Sequence, residues 1–300
     1  MEVPEAQIPI TEILVSNKVK LFMKREDLIH PEISGNKFWK LFYNINNYLN
    51  SNPQNPLIIT FGGAYSNHIS AVSAVGNQFN LKTLGIIRGE EIEKKWTENP
   101  TLVYAKSKSM NLKFVSREEY RHKEKLTGFL QEQFPEALII PEGGTNKNAV
   151  QGIKMMLNDD TKDFDYLCTA VGTGGTVSGL SQFCEDNQKV VGLKVVQDSS
   201  LENRVSELTS KRNFNLTDAA FGGYGKINDE IVRFINDFKM KYEIPLEPVY
   251  TGKMMLKILE MINENYFPEG SSILCFHTGG LQGIDGANAL LQKQNRNLII

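Results

Sequence analysis

The sequence predicts an α/β fold with open, mostly parallel twisted sheets flanked by helices. Three observations predict it. Apolar, strand-like runs alternate with helix-like segments along the 300 residues, as expected for buried parallel strands joined by crossover helices. Glycine-rich turns follow strand ends at Gly62-Gly63, Gly143-Gly144, Gly172 to Gly175 and Gly279-Gly280. Hydrophobic residues make up 41% of the chain, enough for a sizeable core in one large domain or two smaller ones.

Apolar runs place strands over 57–61, 83–87, 112–115, 137–140, 166–171, 190–196 and 272–276. Helices are expected between and after them, over 66–80, 99–109, 117–134, 146–157, 177–186 and 201–210. Three more close the chain, over 229–241, 253–265 and 281–294. There is no internal repeat, low-complexity segment or proline-rich linker, so any division into domains is compact, insertion of one domain in the other being one such arrangement. In open parallel sheets ligands bind beyond the carboxyl ends of the strands, and the four glycine turns at that edge suggest one shared cleft. The plainer reading is that glycine is common in turns.

Bulk properties exclude several classes. A net charge of −2 and a pI of about 6.2 give no footprint for nucleic acid or an anionic membrane. Cys168, Cys184 and Cys275 form no C-x-x-C pair and read as buried free thiols of a reducing compartment. The first residues have no signal-peptide layout. No run approaches the roughly 18 apolar residues of a membrane span. The four histidines have no ligand spacing and give no case for a metal. The expectation is a cytoplasmic protein.

Gly172-Thr173-Gly174-Gly175-Thr176 is the most informative stretch. A glycine turn between a strand and a helix presents backbone N–H groups at the positive end of the helix dipole, a site for phosphate, and the threonine hydroxyls add donors. No Gly-Lys-Ser/Thr follows, and Val177 stands where the dinucleotide pattern needs glycine, so neither ATP nor NAD is the expected ligand. A tight turn that binds nothing is the alternative.

Lys37 lies in Ser34-Gly35-Asn36-Lys37-Phe38-Trp39-Lys40, among large apolar neighbours. Desolvation lowers a lysine pKa, and a partly neutral amine forms Schiff bases with carbonyls; a lysine that merely snorkels past apolar neighbours is the plainer reading. In Gly62-Gly63-Ala64-Tyr65-Ser66-Asn67-His68, a strand ends and a helix begins near Ser66. The free N–H groups and the Ser66 hydroxyl there suit a substrate carboxylate, although Ser66 also reads as an ordinary N-cap.

Together, S-G-N-K, G-G-x-x-S-N-H and G-T-G-G-T resemble the fold-type II pyridoxal-phosphate enzymes, whose architecture is that of the tryptophan synthase β subunit. Phe221-Gly222-Gly223-Tyr224-Gly225 and Glu247-Pro248-Val249-Tyr250-Thr251-Gly252-Lys253 narrow the resemblance to the branch of 1-aminocyclopropane-1-carboxylate deaminase and D-cysteine desulfhydrase. It runs in order from about Lys24 to Gly280.

The resemblance implies that Lys37 carries pyridoxal 5′-phosphate covalently, that Lys40 and Gly172, Thr173, Gly174, Gly175 and Thr176 hold its phosphate, and that Asn67 bonds its 3′-oxygen. It implies a small amino-acid substrate held by Ser66, Asn67 and His68 between Tyr224 and Tyr250, with Lys37, Ser66, Tyr224 and Tyr250 as the catalytic group. It also implies a homodimer and a small domain of residues 45–147 inserted in a large one of 1–44 plus 148–300. Deaminases of the branch carry glutamate and leucine where this chain has Thr251 and Thr278, so the two threonines, as cofactor neighbours, point to β-elimination from D-cysteine. Opening of 1-aminocyclopropane-1-carboxylate is the alternative, followed by a dehydratase, sulfhydrylase or racemase outcome, and then by non-catalytic cofactor or nucleotide binding. Tyr65 replaces the glutamine usual before Ser-Asn, a change that could reshape the carboxylate pocket, and the chain is shorter than better-known members of the branch.

Overall fold

The structure, a computed structural model, describes residues 1–13 and 18–300. Its larger sheet has six strands, β1 (Ile10–Ile13), β2 (Lys20–Lys24), β7 (Tyr166–Val171), β8 (Lys189–Lys194), β9 (Phe214–Asp218) and β10 (Ser272–Phe276), in the order β1-β2-β10-β7-β8-β9. Its smaller sheet has four, β3 (Leu57–Gly62), β4 (Lys82–Arg88), β5 (Asn111–Val115) and β6 (Leu138–Ile140), in the order β5-β4-β3-β6. Every pairing is parallel except β1 with β2. The chain thus belongs to the mostly parallel α/β class that its buried apolar runs predict.

The helices are α1 (Asn36–Asn50), α2 (Asn67–Gln78), α3 (Pro100–Ser107), α4 (Arg117–Arg121), α5 (Lys123–Gln133) and α6 (Lys147–Ile153) in the first half. In the second are α7 (Gly175–Phe183), α8 (Leu201–Leu208), α9 (Asp229–Tyr242), α10 (Thr251–Asn263) and α11 (Gly283–Lys293).

Strand residues alternate between faces. In β7, Leu167 and Val171 enter one apolar cluster while Cys168 and Ala170 enter another. In β3, Ile58 joins the first cluster and Ile59 and Phe61 a third. The first cluster is the junction of the molecule: it includes Trp39 and Ile45 from α1, Ile69 and Val72 from α2, and Leu274 and Phe276 from β10.

Several elements depart from the sequence expectation. The expected helix over 117–134 is two helices. Ser116 and Glu119 form a reciprocal capping box that starts α4, and the backbone leaves the helical region at His122 (φ −98°, ψ 41°) before α5. The expected helix over 146–157 ends at Ile153 and tightens into a 3₁₀ turn, Lys154–Met156. α1, β1, β2 and β9 have no counterpart among the expected elements. Gly35 does not weaken α1, because it stands outside the helix as its N-cap residue at φ 65°, ψ −146°. A Cβ there would lie 2.0 Å from the Thr278 carbonyl oxygen, so glycine lets the first turn of α1 dock against the end of β10.

Candidate active site

That docking sets Lys37 in the first turn of α1, inside a cavity of about 780 Å³ at the carboxyl ends of both sheets. Its Nζ donates to Asn36 Oδ1 at 2.9 Å, and Asn36 Nδ2 donates to Thr176 Oγ1 at 2.7 Å. Asn36 therefore links the lysine to the glycine loop. Burial pushes the Lys37 ammonium down to about 8, opposed by the negative charge of Glu247; the side chain keeps some accessible surface only because it faces the cavity. Lys40, one turn on, donates to the Gly143 carbonyl at 3.0 Å and to Thr145 Oγ1 at 3.3 Å. Burial, then repulsion from Lys37, holds its ammonium well below the usual lysine range.

β7 delivers the chain to residues 172–176, and α7 starts at Gly175 with no side-chain cap. Gly174 has φ 94°, the left-handed region that glycine occupies without cost. A Cβ on Gly175 would lie 2.7 Å from Thr145 Oγ1 and 3.1 Å from Lys40 Nζ. The absent side chain thus leaves a hollow bounded by helix amides, by a lysine and by the paired hydroxyls of Thr145 and Thr173, 2.6 Å apart. These donors fit a phosphate monoester. With an amine in reach of the same cavity, they fit an aldehyde-bearing phosphate such as pyridoxal phosphate.

On the facing side α2 begins after Ser66, whose Oγ accepts the N–H groups of His68 (3.2 Å) and Ile69 (3.3 Å). Ser66 is therefore an N-cap, and its hydroxyl proton remains free to donate into the cavity that it lines. Asn67 Oδ1 accepts from Gln282 Nε2 at 2.8 Å, which fixes the amide beside Gly280. His68 is buried, with Nε2 2.8 Å from Thr60 Oγ1 and Nδ1 without a partner among the described residues. Burial, then the charges of Lys37 and Lys40, holds it well below the usual histidine range, so it is a neutral imidazole. The ring of Tyr65 turns outward, 58% exposed, against the backbone of Gly286.

The third wall comes from the C-terminal half. Tyr224 and Tyr250 meet hydroxyl to hydroxyl at 3.0 Å with an edge-to-face ring contact, and burial raises both phenols, Tyr250 far above the usual range. Gly172 admits the Tyr250 ring, since a Cβ there would lie 3.1 Å from Cε1. Lys253 is buried and donates to the Ala220 and Gly223 carbonyls at 2.7 and 2.8 Å, which ties the Tyr224 loop to α10.

The cavity collects Lys37, Lys40, Ser66, Asn67, His68, Gly172, Thr173, Gly174, Thr176, Tyr224, Tyr250 and Thr278. Gly175 and Thr251 stand behind its wall. The Thr251 hydroxyl bonds the buried turn at Glu247. Asn36, Arg88 and Glu247 also line the cavity; Asn36 and Glu247 stand inside motifs that gave them no role, and Arg88 stands in none. Glu247 is buried and accepts the N–H groups of Val249, Tyr250 and Thr251 at 2.8, 2.7 and 2.6 Å. Burial still raises its carboxyl above the usual range. Its sequence signals were its place at the head of the Glu247 to Lys253 motif and an acidic residue four positions before a helix start.

Among the described residues, no helix is long and apolar enough to cross a membrane, and no group of three or more His, Cys, Asp or Glu could hold a metal ion.

No family model matches the chain. The bifunctional D-cysteine desulfhydrase/1-aminocyclopropane-1-carboxylate deaminase of Arabidopsis thaliana mitochondria is 30% identical over 301 residues, covering 89% of this chain and 74% of its own. A 1-aminocyclopropane-1-carboxylate deaminase of Rhizobium rhizogenes is 25% identical over 313 residues, covering 91% of this chain and 90% of its own. A crystal structure described as that of an ACC deaminase homologue superposes with a TM-score of 0.80 at 26% identity, over 97% of this chain and 95% of that one.

Proposed function

The chain belongs to the family of 1-aminocyclopropane-1-carboxylate deaminase and D-cysteine desulfhydrase, enzymes of fold type II, and from that membership we propose that it binds pyridoxal 5′-phosphate and eliminates the β-substituent of a small amino acid, D-cysteine first. Lys37 is the covalent anchor. The hollow at Gly175 with Lys40, Thr173 and Thr176 holds the phosphate, and Asn67 bonds the ring oxygen. The chemistry the group would supply is an electron sink for the pair released at Cα.

The protein's own residues do the rest. With its ammonium pushed down to about 8, Lys37 is partly a free amine near neutral pH and removes the Cα proton as a general base. Ser66 and the first amides of α2 hold the α-carboxylate. Tyr224 and Tyr250 stay protonated and flank the departing group as hydrogen-bond donors. The balance is D-cysteine plus water giving pyruvate, hydrogen sulfide and ammonia. The division into 1–44 plus 148–300 and 45–147, with the site between, belongs to the same proposal, as does assembly as a homodimer.

The observation that carries the D-cysteine reading is the wall near Lys37. Thr278, a residue without charge, lines the cavity, and the Glu247 oxygens are taken by the amides of residues 249–251. A weak sink suffices to expel a thiolate, whereas an unactivated ring is harder to open. One observation favours the cyclopropane substrate: the Glu247 carboxylate lines the cavity and its charge reaches Lys37. Keto-acid release by the cofactor-loaded protein separates them. Pyruvate from D-cysteine at a rate well above 2-oxobutanoate from 1-aminocyclopropane-1-carboxylate supports elimination; comparable or reversed rates transfer the assignment to ring opening.

A further inference from the structure

Five cationic side chains line the cavity: Lys37, Lys40, Arg88, Lys123 and Arg204. Lys37 and Lys40 face the proposed cofactor. Lys123 is paired with Glu142, and Arg204 with Asp198. Arg88 alone of the last three has no side-chain hydrogen bond or ion pair to any described residue, and its guanidinium lies over the Tyr120 ring, 5.6 Å from Cζ to the centroid. A guanidinium never loses its charge at physiological pH, and its planar fork suits a carboxylate. Left unpaired on a cavity wall, it is a receptor for an anion that the protein itself does not provide.

Its placement says which anion. Arg88 ends β4, one residue past the pairing of Ile87 with Gly62, so it stands beside Gly63 at the sheet's carboxyl edge. A Cβ on Gly63 would lie 3.3 Å from Arg88 Nη2; glycine there gives the guanidinium its way into the cavity. The α-carboxylate already has Ser66 and the start of α2. The phosphate has its own lysine and glycine loop. Arg88 sits on neither, within electrostatic reach of Tyr224, whose hydroxyl meets that of Tyr250. A substrate spanning from Lys37 towards that pair directs its side chain to this wall.

We propose that Arg88 is a specificity residue that receives a second acidic group, a carboxylate at the far end of a longer β-substituent, so that among amino acids larger than D-cysteine the site selects those with a terminal carboxylate over their neutral isosteres. This rests on the elimination reading, which it extends. With S-carboxymethylcysteine the Cβ–S bond breaks and the sulfur leaves with the bonding pair as mercaptoacetate. Addition of one water gives pyruvate and ammonia and completes the balance.

The test compares S-carboxymethylcysteine with its neutral isostere S-carbamoylmethylcysteine, each enantiomer separately, on the holoenzyme. Keto-acid release gives kcat/KM, and calorimetric titration gives Kd. A charge-assisted hydrogen-bonded pair implies a carboxylate preference of about tenfold to a hundredfold, falling to near one in Arg88→Met and partly kept in Arg88→Lys. No wild-type preference in Kd or kcat/KM, or a preference that survives Arg88→Met, overturns the proposal. Equal loss of both ligands in Arg88→Met also overturns it, because it puts Arg88 on the α-carboxylate. Failure of the elimination reading looks different: no keto acid from either ligand or from D-cysteine, while the calorimetric preference still decides the role of Arg88.

Discussion

Lys37 carries a stability signature that is independent of turnover. Its folded pKa, about 8, lies below the ordinary lysine value of about 10.4, so between these values the unfolded chain binds more protons than the folded one. Stability therefore rises with pH across that window and is lowest below it, where the folded protein must hold a desolvated ammonium. Denaturant midpoints of the cofactor-free protein should rise from pH 8 to 10, and the rise should shrink in Lys37→Met. A slope unchanged by the substitution would assign it to other groups. Gly175 makes a second prediction. Alanine there places a methyl against Thr145 Oγ1 and Lys40 Nζ, the cost of overpacking being about 1–3 kcal/mol. Gly175→Ala should weaken cofactor binding about tenfold or more in an absorbance titration and leave helix content intact. At this scale the sequence was most legible where chemistry is contiguous: Ser66-Asn67-His68 and residues 172–176 sit in the cavity or in its wall as runs. Arg88, and the role of Glu247 within its motif, were not legible, because what makes them notable is a missing or hidden partner that only the folded chain reveals.

Among the elements, α10 shows how a helix start positions a loop. Glu247 accepts the amides of residues 249–251 that lead into it, Tyr250 is its N-cap residue, and Lys253 reaches back to the 220–225 loop. That loop could not hold its shape unaided: Phe221, Gly222, Gly223 and Gly225 all have positive φ. In Lys253→Met two carbonyls lose a charged donor, a loss of about 1–3 kcal/mol. The expected result is a lower urea midpoint together with a fall in kcat larger than any change in cofactor affinity, since Tyr224 loses its support while the phosphate loop is untouched. An unchanged kcat would remove the Tyr224 loop from the reaction. The sequence suggested the pattern, with glycines beside both tyrosines and a lysine three residues after Tyr250, but not the bond that joins them. Two strands escaped prediction because their periodicity was weak. β9 reads Phe-Asn-Leu-Thr-Asp with no buried residue, and β1 buries only Ile13, so neither edge strand presents the apolar run that marks β3, β7 and β10.

At the scale of the molecule, the two sheets share one apolar interior. The alternation of runs made the four-stranded sheet and the central strands β10, β7 and β8 of the larger sheet legible. What the sequence could not reveal is that α1, unmarked as an element, lies at the junction, with Trp39 and Ile45 in the same cluster as Ile69 of α2 and Leu274 of β10. A side chain on Gly152 of α6 would lie 1.8 Å from the Trp39 carbonyl oxygen, so α1 and α6 pack backbone to backbone. A cluster continuous across both sheets predicts joint unfolding, although chains of this size often unfold in parts. The two tryptophans can test this. Trp39 is 3% exposed within the cluster, and Trp96 packs on it from the 3₁₀ segment Glu90–Glu98 beside the four-stranded sheet. Urea unfolding of Trp39→Phe, followed by Trp96 fluorescence and by far-UV circular dichroism, should give coincident transitions, and so should Trp96→Phe followed through Trp39. An earlier Trp96 transition would mean that the four-stranded sheet opens on its own. The cavity walls would then separate before the core melts, and cofactor release should track that first transition rather than global unfolding.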